Sequence, residues 1–235
     1  MISLQNLSKY APVLFLSVLI SNSSLSQSID VYGGAPYYFM QLDEYDEYID
    51  VTNNPNYTVG ISVNKYINTF KIEFGIAYGT KNYTFHHRNL NSLASEEKVQ
   101  LSYYLIPIII HKRLFTDSKN TVSLSLGSVF LKPFGYSKET LFKDGSKEDN
   151  RELPVSYKIG NTVRLGMKYS RNLIGPKFMI FSEIYGDYKF NMDYSERGSS
   201  VLLYDLTDDR FNLGLNIGVE WIFSKSQLNY YDTNK

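Results

Sequence analysis

Residues 211–223 alternate almost without a break. Phe211, Leu213, Leu215, Ile217, Val219, Trp221 and Phe223 share one parity. Asn212, Gly214, Asn216, Gly218 and Glu220 share the other, with Ile222 the exception. Successive strand side chains point to opposite faces, so one face is apolar along its length and the other is small or polar. In a soluble sandwich the apolar face would be the interior. Gly and Asn on the second face suit a crowded, wet lumen instead, with aromatic rings closing each end of an outward apolar band.

Eight segments show period-2 patterning bounded by turn signals: 29–41, 57–67, 69–84, 99–115, 120–131, 155–171, 177–193 and 210–223. The first, third, fifth and seventh connections (42–56, 85–98, 132–154 and 194–209) are long. The others, at Asn68, 116–119 and 172–176, are short. Transmembrane barrels have short periplasmic turns and long external loops, and a chain entering from the periplasm produces this order. In the sixth segment Val155, Tyr157, Ile159, Val163, Leu165, Met167 and Tyr169 would face lipid, with Lys158, Arg164 and Lys168 inward. Tyr157 to Tyr169 would span roughly 40 Å along the strand. At a tilt of about 40° that is roughly 30 Å of height, enough for an apolar band and its aromatic girdles.

The fold class expected is therefore all-β: an eight-stranded antiparallel up-and-down transmembrane β-barrel with four long external loops and short periplasmic turns. A soluble, lipocalin-like barrel is the alternative. The aromatic girdle is assigned to Tyr57, Tyr78, Tyr103, Tyr157, Tyr188 and Phe211 beside long loops. Tyr169, Trp221 and Phe223 take the turn end, since such rings hold one edge in lipid and one in water.

Residues 1–26 read as a signal peptide. Lys9 precedes an apolar stretch, 11–20, and Ser24 and Ser26 precede a cut before Gln27. The apolar stretch is too short to span a membrane, which takes about 20 residues. The domain reading is thus 1–26 signal peptide, 27–223 outer-membrane barrel and 224–235 short polar tail, placing the mature chain in the outer membrane. The chain has no cysteine, which excludes a lipoprotein anchor and disulfides. Lys and Arg together number 24, as do Asp and Glu, so no net charge favours nucleic acid.

By the same parity the lumen holds Lys71, Glu73, Lys158, Arg164, Lys168, Glu183, Asp187, Lys189 and Glu220. An eight-stranded barrel is wide enough only for its own side chains or one small ligand. A plug of paired charges is the first expectation, and a narrow channel or small-ligand conduit the second. The sixth-segment cations Lys158, Arg164 and Lys168 are expected to meet Glu183, Asp187 or Glu220. The third alternative, a lipid-modifying enzyme, would need a lipid-facing His, Ser and acid in contact. His86 and His87 fall in a long connection and His111 near the periplasmic end of the fourth segment; no nucleophile elbow or HExxH pattern accompanies them. No catalytic residue, metal site or cofactor is assigned. The acidic run 43–50 lacks the spacing of a calcium-binding loop and reads as a solvated loop open to a protein partner.

The stretch Tyr103-Tyr104-Leu105-Ile106-Pro107-Ile108-Ile109-Ile110-His111-Lys112 resembles one found in small outer-membrane barrel domains of Bacteroidetes-type bacteria, the PorT-like group. There an aromatic residue is followed by Ile-Pro, an aliphatic run and a base, although Leu105 stands where an acid is common. The cut before Gln27, the glycine-bearing fifth segment around Gly127 and the closing 214–223 stretch extend the likeness. It implies an eight-stranded barrel of the OmpA-like kind without catalysis, with outer-membrane lipids and the barrel-assembly machinery as partners and a link to secretion or gliding machinery. Pro107 cannot donate to a ladder, so a bulge is expected there.

Overall fold

The computed structural model describes residues 27–39, 49–88, 93–150, 160–173, 177–191 and 211–223. Ten strands form one antiparallel sheet: β1 (Gln27–Phe39), β2 (Ile49–Asn53), β3 (Thr58–Ile67), β4 (Phe70–His87), β5 (Ala94–Thr116), β6 (Asn120–Phe142), β7 (Lys147–Asn150), β8 (Gly160–Asn172), β9 (Phe178–Asn191) and β10 (Phe211–Ile222). Eight close into a ring in the order β1-β3-β4-β5-β6-β8-β9-β10, with β10 returning to pair β1 from Ser28↔Ile222 to Phe39↔Phe211. Closure of the eight-stranded ring by β1 and β10 removes the two edges an open sheet of these strands would have. The segments 1–26 and 224–235 lie outside the described residues.

Alternation places apolar residues outside and polar ones inside. On β8, Leu165 and Met167 are exposed while Arg164 and Lys168 are buried; on β10, Ile217 is 60% exposed and Glu220 only 2%. Every other barrel strand adds to the apolar exterior, for example Val31, Val59, Ile76, Ile108, Leu126 and Ile184. In water such a surface would far exceed the patch a soluble monomer exposes. The fold is a transmembrane β-barrel of eight strands.

The short turns sit at one end. Asn68 takes a positive φ of 54° in the tight β3–β4 turn, a conformation Asn adopts more readily than most residues. The β5–β6 turn is organised by Asp117. Its Oδ1 accepts from the backbone N–H of Lys119 and of Asn120, each at 2.7 Å, and its carboxylate also accepts from the Asn120 side chain. The Asn120 side chain, followed by the two backbone donors, holds the Asp117 carboxyl below its ordinary range.

The other end differs from the sequence expectation. The loop lengths predict long connections over 85–98 and 132–154, but β4, β5 and β6 run on through much of them, and His86 and His87 end β4 rather than lying in a loop. The short strands β2 and β7 add to β4 and β6, making a five-stranded extension above the ring. Pro133 and Gly135, which fall in the connection expected over 132–154, flank a bulge. Ser102 pairs Gly135 while Tyr103 pairs Pro133, so Phe134 is the extra residue. The bulge inverts the parity of β6, so that Tyr136 and Thr140 are buried, and Tyr136 joins Val99, Leu101, Tyr83 and Phe85 in one cluster.

The bulge expected at Pro107 is also corrected. Pro107 pairs Val129 on β6 without a register shift. On the β4 side, Phe74↔Ile108 and Ala77↔Leu105 keep one register, but no rungs join Gly75 and Ile76 to Pro107 and Ile106. The missing N–H is accommodated by an unpaired stretch rather than by an inserted residue.

Candidate functional site: the charged interior of the barrel

The interior divides along its axis. At the turn end β1, β4, β8 and β10 bring Asp30, Lys71, Lys168 and Glu220 together. Lys168 Nζ lies 2.6 Å and Lys71 Nζ 3.2 Å from the same oxygen of Asp30, and Lys71 is 3.4 Å from Glu220 Oε2. Glu220 also accepts from Ser28 Oγ at 2.6 Å and from the Tyr66 hydroxyl. The Asn64 side chain donates to Asp30 Oδ1 at 2.7 Å. His111 Nε2 lies 2.9 Å from Glu73 Oε2, both side chains being buried.

Midway, Arg164 makes a two-pronged pair with Asp187, Nε to Oδ1 at 2.7 Å and Nη2 to Oδ2 at 2.8 Å. Its guanidinium lies over the Tyr185 ring at 3.7 Å. Lys168 stands opposite Glu183 in the β8–β9 register, but its ammonium lies over the Phe181 ring and reaches Asp30. Glu183 accepts from Ser125 Oγ at 2.9 Å and Asn216 Nδ2 at 3.2 Å. Lys189 is buried nearer the long-connection end. Lys158 and Tyr157 lie outside the described residues.

Toward the long connections the interior becomes aromatic and aliphatic. Tyr38, Tyr83, Phe85, Leu101, Tyr103 and Tyr136 belong to one buried cluster, and the Tyr38 and Tyr103 hydroxyls bond to each other. Tyr103, expected in the outer girdle, instead faces inward and is 1% exposed. Its neighbour Tyr104 takes the outer face and stacks on Phe134 at 4.2 Å. The run 103–110 is apolar on both parities, so alternation carries no signal there.

Of the other girdle residues, Tyr57, Tyr169, Tyr188, Phe211, Trp221 and Phe223 are exposed on the outside. Tyr78 is half-buried between Tyr57 and Phe134. Trp221 stacks on Phe178 at the turn end. Phe211 and Trp221 are separated by about ten strand steps, roughly 33 Å along β10. A tilt of about 40° reduces this to roughly 25 Å, the height of the apolar band of such barrels.

Sequence reasoning missed Asp30, the acid shared by both lysines. The alternation Ile29, Asp30, Val31 carried the signal, but Gly33, Gly34 and Ala35 blur the parity of β1. It also missed how inward glycines seat inward rings on the neighbouring strand. A Cβ on Gly60 would stand 2.5 Å from the Tyr32 ring, and one on Gly79 would stand 2.6 Å from Tyr103. Gly214 is similarly covered by Tyr185. Gly214→Ala is therefore expected to push Tyr185 off Arg164 and cost about 1–3 kcal/mol, read as a lower urea midpoint in vesicles. Gly33→Ala, whose Cβ would meet nothing closer than 3.8 Å, is the neutral control.

Cavities along this axis among the described residues include two in the barrel interior. One of about 20 Å³ at the turn end is lined in part by Lys71, His111, Lys168 and Glu220; another of about 10 Å³ lies beside Tyr32, Arg164 and Asn216. Each has room on the order of one water molecule. Among the described residues no group of three or more His, Cys, Asp and Glu is placed to hold a metal ion.

A closed barrel with an apolar outside, aromatic rings at both ends and a charged interior defines a transmembrane β-barrel protein of the small, eight-stranded class. No family model matches the chain, and no curated protein matches it. Among solved structures it is similar to a major outer membrane protein from Thermus thermophilus, with 14% identity and a TM-score of 0.49 over 84% of this chain and 99% of that one. It is also similar to the outer membrane protein OprG from Pseudomonas aeruginosa, with 9% identity and a TM-score of 0.46 over 84% and 96%. A third is the N-terminal β-barrel domain of OprF from the same organism, with 10% identity and a TM-score of 0.42 over 85% and 99%.

Proposed function

We propose that the chain is an integral outer-membrane protein of structural or interaction type, exported by removal of residues 1–26, with an interior closed by its own side chains and no catalytic role. The observation that carries the reading is the inverted burial: lipid-compatible residues cover the barrel wall while the cations Lys71, Arg164 and Lys168 are held inside against acids. The small size of these two cavities and the aromatic cluster toward the long connections argue against an open pore. On this reading the turns face the periplasm and the long connections the outside. The five-stranded extension then offers a protein partner a rigid external platform. Its outward charges include Arg88 Nε, 2.6 Å from Asp50, and Glu96, 3.1 Å from Lys98. The PorT-like resemblance supports a role beside secretion or gliding machinery, with outer-membrane lipids and the barrel-assembly machinery as the other partners.

The expected result is that the mature chain fractionates with outer membranes, resists carbonate extraction and migrates faster unboiled than boiled. In planar bilayers it should show no steady conductance. Recovery from the soluble periplasm would overturn the membrane reading, whereas steady conductance would replace the closed interior with a narrow channel.

A further inference from the structure

We propose that the outer rim of the turn end is a docking collar for net-negative phospholipid headgroups of the leaflet it sits in. The inference rests on the membrane reading above. Lys112 on β5, Lys119 in the β5–β6 turn, Arg171 on β8 and Lys177 beside β9 are all exposed there. None of the four forms an ion pair among the described residues. Asp117 is the one acid exposed at that end among the described residues. Its carboxylate is already taken up by the Asn120 side chain and two backbone N–H groups. Asp30, Glu73 and Glu220, the other acids of this end, are buried inside the barrel, where they answer the inward cations.

The height of these cations selects the partner. Phe70, Tyr169, Phe178 and Trp221 are exposed on the outer wall of the turn end, and such rings sit at the level of lipid headgroups. Lys112 stands opposite Phe70 across the β4–β5 ladder. Arg171 follows Tyr169 two residues along the same face of β8, and Lys177 immediately precedes Phe178. The Asn172 N–H donates to the Lys119 carbonyl at 2.8 Å, which joins the β5–β6 turn to the end of β8 beside Arg171. Long basic side chains at this level lay their methylenes along the apolar wall and hold their charge at the interface, among the phosphates. The opposite end carries the opposite excess: connections 42–56 and 194–209 hold nine acids and one base. An anionic surface is attracted at the turn end and repelled at the other. A zwitterionic headgroup brings its own ammonium to the same cations and gains less, so the collar selects net-negative lipid.

The test uses the full barrel in phosphatidylcholine vesicles carrying a trace of spin-labelled phosphatidylglycerol or spin-labelled phosphatidylcholine. Electron spin resonance reads the fraction of each label immobilised against the wall. At low salt the phosphatidylglycerol label is expected to be immobilised at least about twofold more often than the other, each basic group near the lipid surface adding attraction. The preference should shrink toward unity at about 1 M salt, where the Debye length is only about 3 Å. Lys112→Gln combined with Arg171→Gln should remove about half of the excess, two of the four cations being gone. The charge-matched combination Lys98→Gln with Lys147→Gln lies on the extension, where these lysines pair with Glu96 and Glu139 at 3.1 Å each; it should remove none. Should the first combination not refold, Lys119→Gln with Lys177→Gln should lower the preference in the same direction. Equal immobilisation of the two labels by the unaltered barrel, or an equal loss in the charge-matched combinations, would overturn the proposal. An absence of immobilised lipid with either label would overturn the membrane reading itself.

Discussion

Arginine at Leu165 or Ile217 is expected to destabilise the barrel in lipid by about 2–4 kcal/mol. Both residues lie on the outer wall near the middle of their strands and are more than half exposed. On a water-facing surface the same replacement would stay within about 0.5 kcal/mol, so the magnitude identifies the solvent. Leu93 gives the control. It is 79% exposed but sits at the far end of the extension, where Lys143 N donates to its carbonyl at 3.0 Å. Leu93→Arg should therefore be nearly neutral. Urea-driven unfolding in vesicles measures all three, and equal effects at Leu93 and Leu165 would show that the wall does not face lipid.

Replacing Asp30 by Asn should cost about 3–5 kcal/mol, because it leaves two buried ammonium groups short of their shared counter-charge. Of the acids within ion-pair distance among the described residues, Lys71 and Lys168 would retain Glu220, at 3.4 and 3.9 Å. Glu183→Gln should cost less, on the order of 1 kcal/mol per weakened hydrogen bond, since Glu183 accepts from the neutral groups Ser125 and Asn216. A lumen full of mobile water would screen the Asp30 loss to about 1 kcal/mol or less. The pair of variants, compared by equilibrium unfolding in vesicles, therefore reports how dry the interior is.

Much of the barrel was legible because its two faces contact different media. Where one parity is wholly apolar and the other small or charged, as in β8 and β10, a period of two assigns inside and outside residue by residue. Chain lengths between segments supplied the long and short ends. In β5 the signal failed, because Ile106–Ile110 suits lipid on one face and the packed aromatic half of the lumen on the other. Tyr103 and Tyr104 could then exchange places in the reading. In β6, Pro133 and Gly135 mark either a turn or a bulge, and only the pairing with β5 decides which.

The sequence by itself determined the eight-stranded closed architecture, the turn end and the lipid-facing wall, since these follow from local periodicity and loop length. Tertiary structure alone decided which charges meet. Asp30 and Lys168 are 138 residues apart, and their contact depends on barrel closure by β1 and β10 and on a lysine long enough to cross the lumen. It also decided that Tyr103 faces inward, that the β4–β6 strands extend beyond the ring, and that His111 is buried against Glu73. Periodicity gives the face from which a side chain projects; across a filled lumen, strand register and side-chain reach select its partner.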